Sequence, residues 1–241
     1  MNQFSVAQYS KSAFVAMVSS AVIVTLLFGA FFLAEPSISH GQAAGPGPFD
    51  FTVKQEIIGE ASFLVAPNDV TTSGTINGLT GGNASGTTDF SIISNNSTGY
   101  IVRLSFEDNG GATTMIGDTT ASESIIDYIA SSTEPGYGYV DRASAQFAYT
   151  VSSNNVGDSD DSFINDGSAC NTGSSGNGTT KATKCWMEPT VPAFDIVNRP
   201  SAAPTGATST IEFDITVPSG ATPVPSADTY TATATLTLLT Q

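Results

Sequence analysis

The feature that most constrains this chain is a strict alternation of apolar and polar side chains, repeated in segment after segment. In DTYTATATLTLL (228–239), Tyr230, Ala232, Ala234, Leu236 and Leu238 share one parity, while Thr229, Thr231, Thr233, Thr235 and Thr237 share the other. A period of two puts successive side chains on opposite faces of an extended strand, whereas a helix would scatter the same residues around its circumference. STIEFDITV repeats the pattern, with Ile211, Phe213, Ile215 and Val217 inward and Glu212, Asp214 and Thr216 outward. So do GYIVRLSFE (Tyr100, Val102, Leu104, Phe106) and SAQFAYTV (Ala145, Phe147, Tyr149, Val151).

Further strands are predicted at 49–58, 61–66, 87–94 and 193–198. Turn formers punctuate them at Gly81-Gly82-Asn83, Asn95-Asn96, Asp108-Asn109-Gly110-Gly111 and Pro218-Ser219-Gly220. Only 12% of residues are charged, so the Lys/Glu/Arg-rich faces of exposed helices are missing, and β-branched residues dominate. Eight to ten strands with such turns predict an all-β fold, an antiparallel two-sheet β-sandwich. One segment reads otherwise. Thr120 and Glu123 form a capping-box pattern, and Ile125, Ile126 and Ile129 follow at helical spacing. They predict a short helix over 121–130, with a strand or loop along the sandwich edge as the alternative.

Residues 13–34 are an almost unbroken apolar run preceded by Lys11. About 20 apolar residues suit either a signal-peptide core or a membrane anchor. Small residues near Ala43 and Ala44 offer a cleavage site, so 1–44 is expected to be a signal peptide or N-terminal anchor. Residues 45–241 are expected to be one β-sandwich domain, secreted or held at the cell surface. In an oxidising compartment Cys170 and Cys185 are expected to pair, closing a Gly/Ser/Thr/Asn-rich loop that burial alone could not order.

The chemistry is limited. The single histidine, His40, precedes the expected cleavage site, which removes imidazole-dependent triads, dyads and metal sites from that domain. Carboxylate pairs could in principle hydrolyse glycosides, but Glu212 and Asp214 sit on the outer parity of a strand and the chain has one tryptophan. An enzyme is not expected. Asp158, Asp160, Asp161 and Asp166 form an oxygen-rich loop that could hold a structural calcium ion, although their spacing is not that of an EF-hand; no other cofactor is expected. Trp186, beside Cys185, reads as a packed cover over the disulfide, or as a sugar-stacking platform with Tyr137 and Tyr139. A net charge of −15 repels nucleic acid.

FTVKQEIIGEASFLVAPNDVTTSGTINGLTGG, FSIISNNSTGYIVRLSF and STIEFDITVPSGATPVPSADTYTATATLTL together resemble uncharacterised exported β-sandwich proteins of bacterial cell envelopes. The closing pattern is also similar to spore-coat-like and WxL-like surface domains, although Trp186 is followed by Met187 and Glu188 rather than a leucine. The resemblance implies a non-enzymatic structural protein of the cell surface. Its partners would be cell-envelope components or further copies of itself, and it would meet a membrane only through an uncleaved N-terminal segment. One alternative is a filament subunit in which 49–58, behind a flexible GPGP hinge, adds as a strand to a neighbour's sheet. The other is a carbohydrate-binding or adhesin module using Trp186, Tyr137 and Tyr139.

Overall fold

The computed structural model of the protein describes residues 52–109, 113–131, 134–173 and 176–241, together with Ser19. The apolar run at 13–34, Ser19 apart, and the expected cleavage region lie outside the described residues. Residues 56–241 form one compact unit. Among the described residues no helix is long and apolar enough to cross a membrane.

The fold is all-β. The described residues contain twelve strands: β1 (Ala61–Val65), β2 (Gly82–Ser94), β3 (Tyr100–Phe106), β4 (Met115–Gly117), β5 (Ser124–Asp127), β6 (Gly136–Tyr137), β7 (Gln146–Ser153), β8 (Cys185–Trp186), β9 (Phe194–Arg199), β10 (Ala203–Val217), β11 (Tyr230–Thr231) and β12 (Ala234–Thr240). Two single-turn 3-10 helices, Val156–Asp158 and Asp161–Phe163, follow β7. Seven strands form a curled sheet in the order β1-β2-β10-β7-β5-β4-β11, three form the sheet β12-β3-β9, and β6 pairs with β8. The expectation of purely antiparallel pairing is corrected at one place, where β5 runs parallel to β7 through Ile126↔Gln146 and Asp127↔Phe147.

The alternating positions converge on one core. Val102, Leu104 and Phe106 of β3 meet Phe147, Tyr149 and Val151 of β7 and Ile211 and Ile215 of β10, all buried. Phe106 sits at the hub, edge-on to Phe147 at 5.9 Å and to Phe213 at 6.5 Å. Such aromatic pairs add directional packing to the burial of apolar area.

Three sequence expectations are corrected. The helix over 121–130 is replaced by β5: Glu123 closes a single turn by donating its amide to the Thr120 carbonyl, and Ile125 then enters the core as a strand residue. The amides of Thr119 and Thr120, which a helix would present at its N-terminus, instead donate to the Asp228 carboxylate from a distant loop. The long final strand is two strands. Tyr230 pairs with Gly117 in the large sheet, Ala234 pairs with Phe106 in the small one, and the chain crosses between sheets at 232–233. The strand expected at 49–58 is not formed over 52–58, and positions 49–51 lie outside the described residues.

Register defines two ends of the compact unit. At one, β2 and β10 meet at Gly82↔Val217, beside the Phe106↔Ala234 pair. At the other, Ser94 pairs with both Ala61 and Ala203, and the turn to β3 begins at Asn95. The chain is fastened at this Asn95 end. The Asn95 amide group donates to the Ile58 carbonyl at 3.2 Å, and the Glu60 amide donates to Asn95 Oδ1 at 2.7 Å.

Gly99 closes the same turn with φ +88°, and a Cβ there would lie 1.7 Å from the Arg199 carbonyl oxygen. Both the left-handed backbone and the contact require glycine. Gly99→Ala is therefore expected to lower unfolding stability by about 2 kcal/mol or more. Urea denaturation checks this, and an unchanged midpoint would refute the assignment.

Candidate functional site

Two features stand out from the strand framework: a disulfide-clipped loop on the outer face of the large sheet, and a groove between the sheets that opens onto the core.

Cys170 and Cys185 are bonded, with Cα atoms 5.9 Å apart. Cys185 is fully buried beside β7, where Thr150 Oγ1 donates to its carbonyl at 2.6 Å. Within the loop, Asn177 donates to the Val151 carbonyl at 2.6 Å and accepts from the Cys185 amide at 2.6 Å. Lys181 pairs with Asp214 and reaches Thr216, and Lys184 pairs with Glu212. The outer face of β10 is therefore covered. Asp214 is only 2% exposed, which corrects the expectation that Glu212 and Asp214 are solvent-facing. In a chain with seven cations, two were recruited to the outward carboxylates of a single strand.

Trp186 is buried, and its indole N–H donates to the Lys181 carbonyl at 2.9 Å. Tyr139 meets it edge-on at 5.4 Å and packs at a tilt against Tyr128 at 4.9 Å, while Lys181 Nζ lies 3.6 Å from the Tyr139 ring centroid. Tyr137 is half-buried and pairs with Cys185 in the β6–β8 ladder. The sugar-platform expectation for Trp186, Tyr137 and Tyr139 is corrected. The indole has no exposed face, because it is packed in a side cluster with Tyr128, Ala148 and Tyr139, apart from the core cluster that holds both cysteines. Burial pushes the Tyr139 hydroxyl well above the ordinary tyrosine range.

The four calcium candidates are divided among separate partners. Asp158 is buried and pairs with Arg199 at 2.5 Å, while also accepting from Asn155 at 3.0 Å. Burial, with the Asp158 charge adding and Arg199 opposing, raises the neighbouring Tyr100 hydroxyl to about 12. Asp160 caps the second 3-10 turn, accepting from the Ser162 amide and hydroxyl, and Asp161 is exposed at its first position. Asp166 accepts from the Ser168 hydroxyl and from the amides of Ser168 and Ala169, and these bonds hold its pKa at about 2. Among the described residues, no three His, Cys, Asp or Glu side chains converge as metal ligands.

Another carboxylate group behaves oppositely. Burial raises Asp127, Glu134 and Glu188 above their ordinary values. Glu134 keeps solvent contact as a residue, but its oxygens turn inward to the Ala130 amide at 2.9 Å and the Glu188 amide at 3.4 Å.

The groove occupies about 1030 Å³ near the Gly82 end. Leu104, Phe106 and Leu236 line it from the small sheet, and Phe147, Ile211 and Phe213 from the large one. Segments 67–79 and 224–232 form its rim. They touch where a Cβ on Gly78 would lie 2.7 Å from the Pro225 carbonyl oxygen. The first segment is tied to β2 by Ser73 N–H to the Ser85 carbonyl at 2.9 Å and Asn68 N–H to Thr88 Oγ1 at 2.9 Å. Two carboxylates stand at the rim, Asp69 and Asp228, and Asp228 is committed to the amides of Thr119, Thr120 and Thr229. The floor of the groove is apolar, and its rim carries threonine, asparagine and aspartate side chains. Sequence reasoning missed this groove, which exists only once both sheets and both rim segments are assembled.

Arg199→Ala leaves Asp158 buried without its cation and is expected to cost about 3 kcal/mol or more, measured by chemical denaturation. For Glu188 the folded pKa is raised, so its stabilising contribution is complete below the unfolded pKa and is lost as pH rises through the folded one. Glu188→Gln should therefore gain in thermal midpoint relative to wild type between about pH 4 and pH 7. A constant or shrinking difference would contradict the burial of this carboxyl. Compared with protein-family models and with curated proteins, the chain matches none.

Proposed function

We propose that this chain is an exported, non-enzymatic structural protein of the cell surface, a β-sandwich whose working surface is the apolar groove beside β12. The groove is the single observation that carries the reading. A cavity of about 1030 Å³ with an aliphatic and aromatic floor from two sheets and a rim of threonine, asparagine and aspartate suits an extended element with one apolar face, and binding is the chemistry it supports. The polar residues around the fold are committed to its integrity: Asp158 to Arg199, Asp214 to Lys181, Glu212 to Lys184, Asp160 and Asp166 to their own turns. A disulfide-clipped loop supports an oxidising compartment. A net charge of −15 keeps nucleic acid off the list of partners and leaves envelope components or further copies.

Fractionation of the native host with a membrane-impermeant amine label tests this. The chain is expected in the surface or secreted fraction, labelled in intact cells, with Cys170–Cys185 oxidised. Recovery of a reduced, unlabelled chain from the cytoplasm would overturn the reading.

A further inference from the structure

The segment ahead of β1 has the side chains of a strand but not the conformation of one. Residues 52–60 carry neither strand nor helix. Val53, Ile57 and Ile58 in this segment are 81%, 82% and 74% exposed, three of the most exposed large apolar residues of the described chain. Val53 and Ile57 share one parity, which Phe49 and Phe51 continue upstream in the sequence and Gln55 interrupts, while Thr52, Lys54 and Glu56 share the other, which ends at Ile58. This is the pattern of a strand with one face to bury.

A matching edge borders the groove. β12 is the outermost strand of its sheet and is hydrogen-bonded on one side to β3; among the described residues its other side carries no ladder, although β1 approaches it over part of its length. Its inward residues Ala234 and Leu236 line the groove. An edge strand presents a row of backbone donors and acceptors, and an extended segment added to it gains hydrogen bonds while its alternate side chains fill the space behind. Six residues at 52–57 span about 20 Å as a strand, close to the length of seven-residue β12.

Resting on the reading of the chain as a structural surface protein, we infer that the groove of one copy receives residues 52–57 of a second copy, added as a strand along the edge of β12 where Ala234 and Leu236 border the groove. The segment is held at Ile58 and Glu60 by Asn95, at one end of the compact unit, whereas the groove lies toward the Gly82 end. Donor and acceptor therefore sit on different surfaces. An interface of two different surfaces propagates, so copies link head to tail into a fibre.

The test uses the full-length chain in mild detergent, by light scattering and negative-stain microscopy. Wild type is expected to form linear oligomers. V53D/I57D alters two exposed positions, so it should keep the wild-type thermal midpoint while losing about a hundredfold in association. That variant retains an intact groove, so a synthetic FDFTVKQEII peptide should bind it and raise its midpoint. The double variant I57C/A234C, oxidised, should run as a ladder of disulfide-linked multimers on a non-reducing gel. A cross-linked monomer would show that the segment closes its own groove and would overturn the inference. So would oligomers that survive V53D/I57D, or a peptide that fails to bind. A monomer displayed on the cell surface sinks the fibre alone, whereas a reduced cytoplasmic chain sinks the surface reading beneath it.

Discussion

The pairing of β10 with its neighbours is the constraint on which the rest of the structure depends. This fifteen-residue strand lies between β2 and β7 and keeps a continuous register with β2 from Ala207↔Ile92 to Val217↔Gly82. Its two faces organise different things. Ile211, Phe213 and Ile215 form part of the core and the floor of the groove. Glu212 and Asp214 on the reverse hold Lys184 and Lys181, which fix the disulfide loop and through it the Trp186 cluster. A register slip of one residue would exchange the faces, placing carboxylates in the core and removing the anchor of the loop at once.

The period-two pattern was the most legible part of the sequence. It located the strands now seen at Tyr100–Phe106 and Gln146–Ser153 and the 209–217 part of Ala203–Val217, with the inward residues on each, because a half-buried strand writes its burial directly into alternation. Cys170 and Cys185 were legible by elimination, being the only two cysteines. What failed did so for tertiary reasons. The alternation of Tyr230 to Leu238 is unbroken, yet the chain changes sheets within it, since parity records which face is buried and not which sheet supplies the partner. The Thr120–Glu123 box was overridden by Asp228, which takes the amides that make such a box useful. The outward parity of Asp214 was correct, but the loop that covers it lay more than thirty residues away.

The candidate site was barely legible. Trp186 drew attention as an aromatic beside a disulfide, and its role proved to be packing. The groove is built from residues between Pro67 and Leu236, most of which read locally as ordinary core or loop. A signal was nonetheless present in 49–58, where alternation predicted a strand. The described part of that segment has the side chains of a strand and no ladder to belong to. The local pattern and the observed conformation disagree there more sharply than anywhere else in the described chain, and such disagreement marks places where a chain is shaped for something beyond its own fold.

The fastening at Asn95 also has a mechanical meaning. Tension entering through Ile58 passes into β1, which lies antiparallel along β2 from Ala61↔Ser94 to Val65↔Ser91. Force directed outward from that end runs along the strand axis. It loads the rungs of the β1–β2 ladder together in shear, not one after another as in peeling. The bond from Asn95 to the Ile58 carbonyl stands ahead of that ladder and is the first to meet the load.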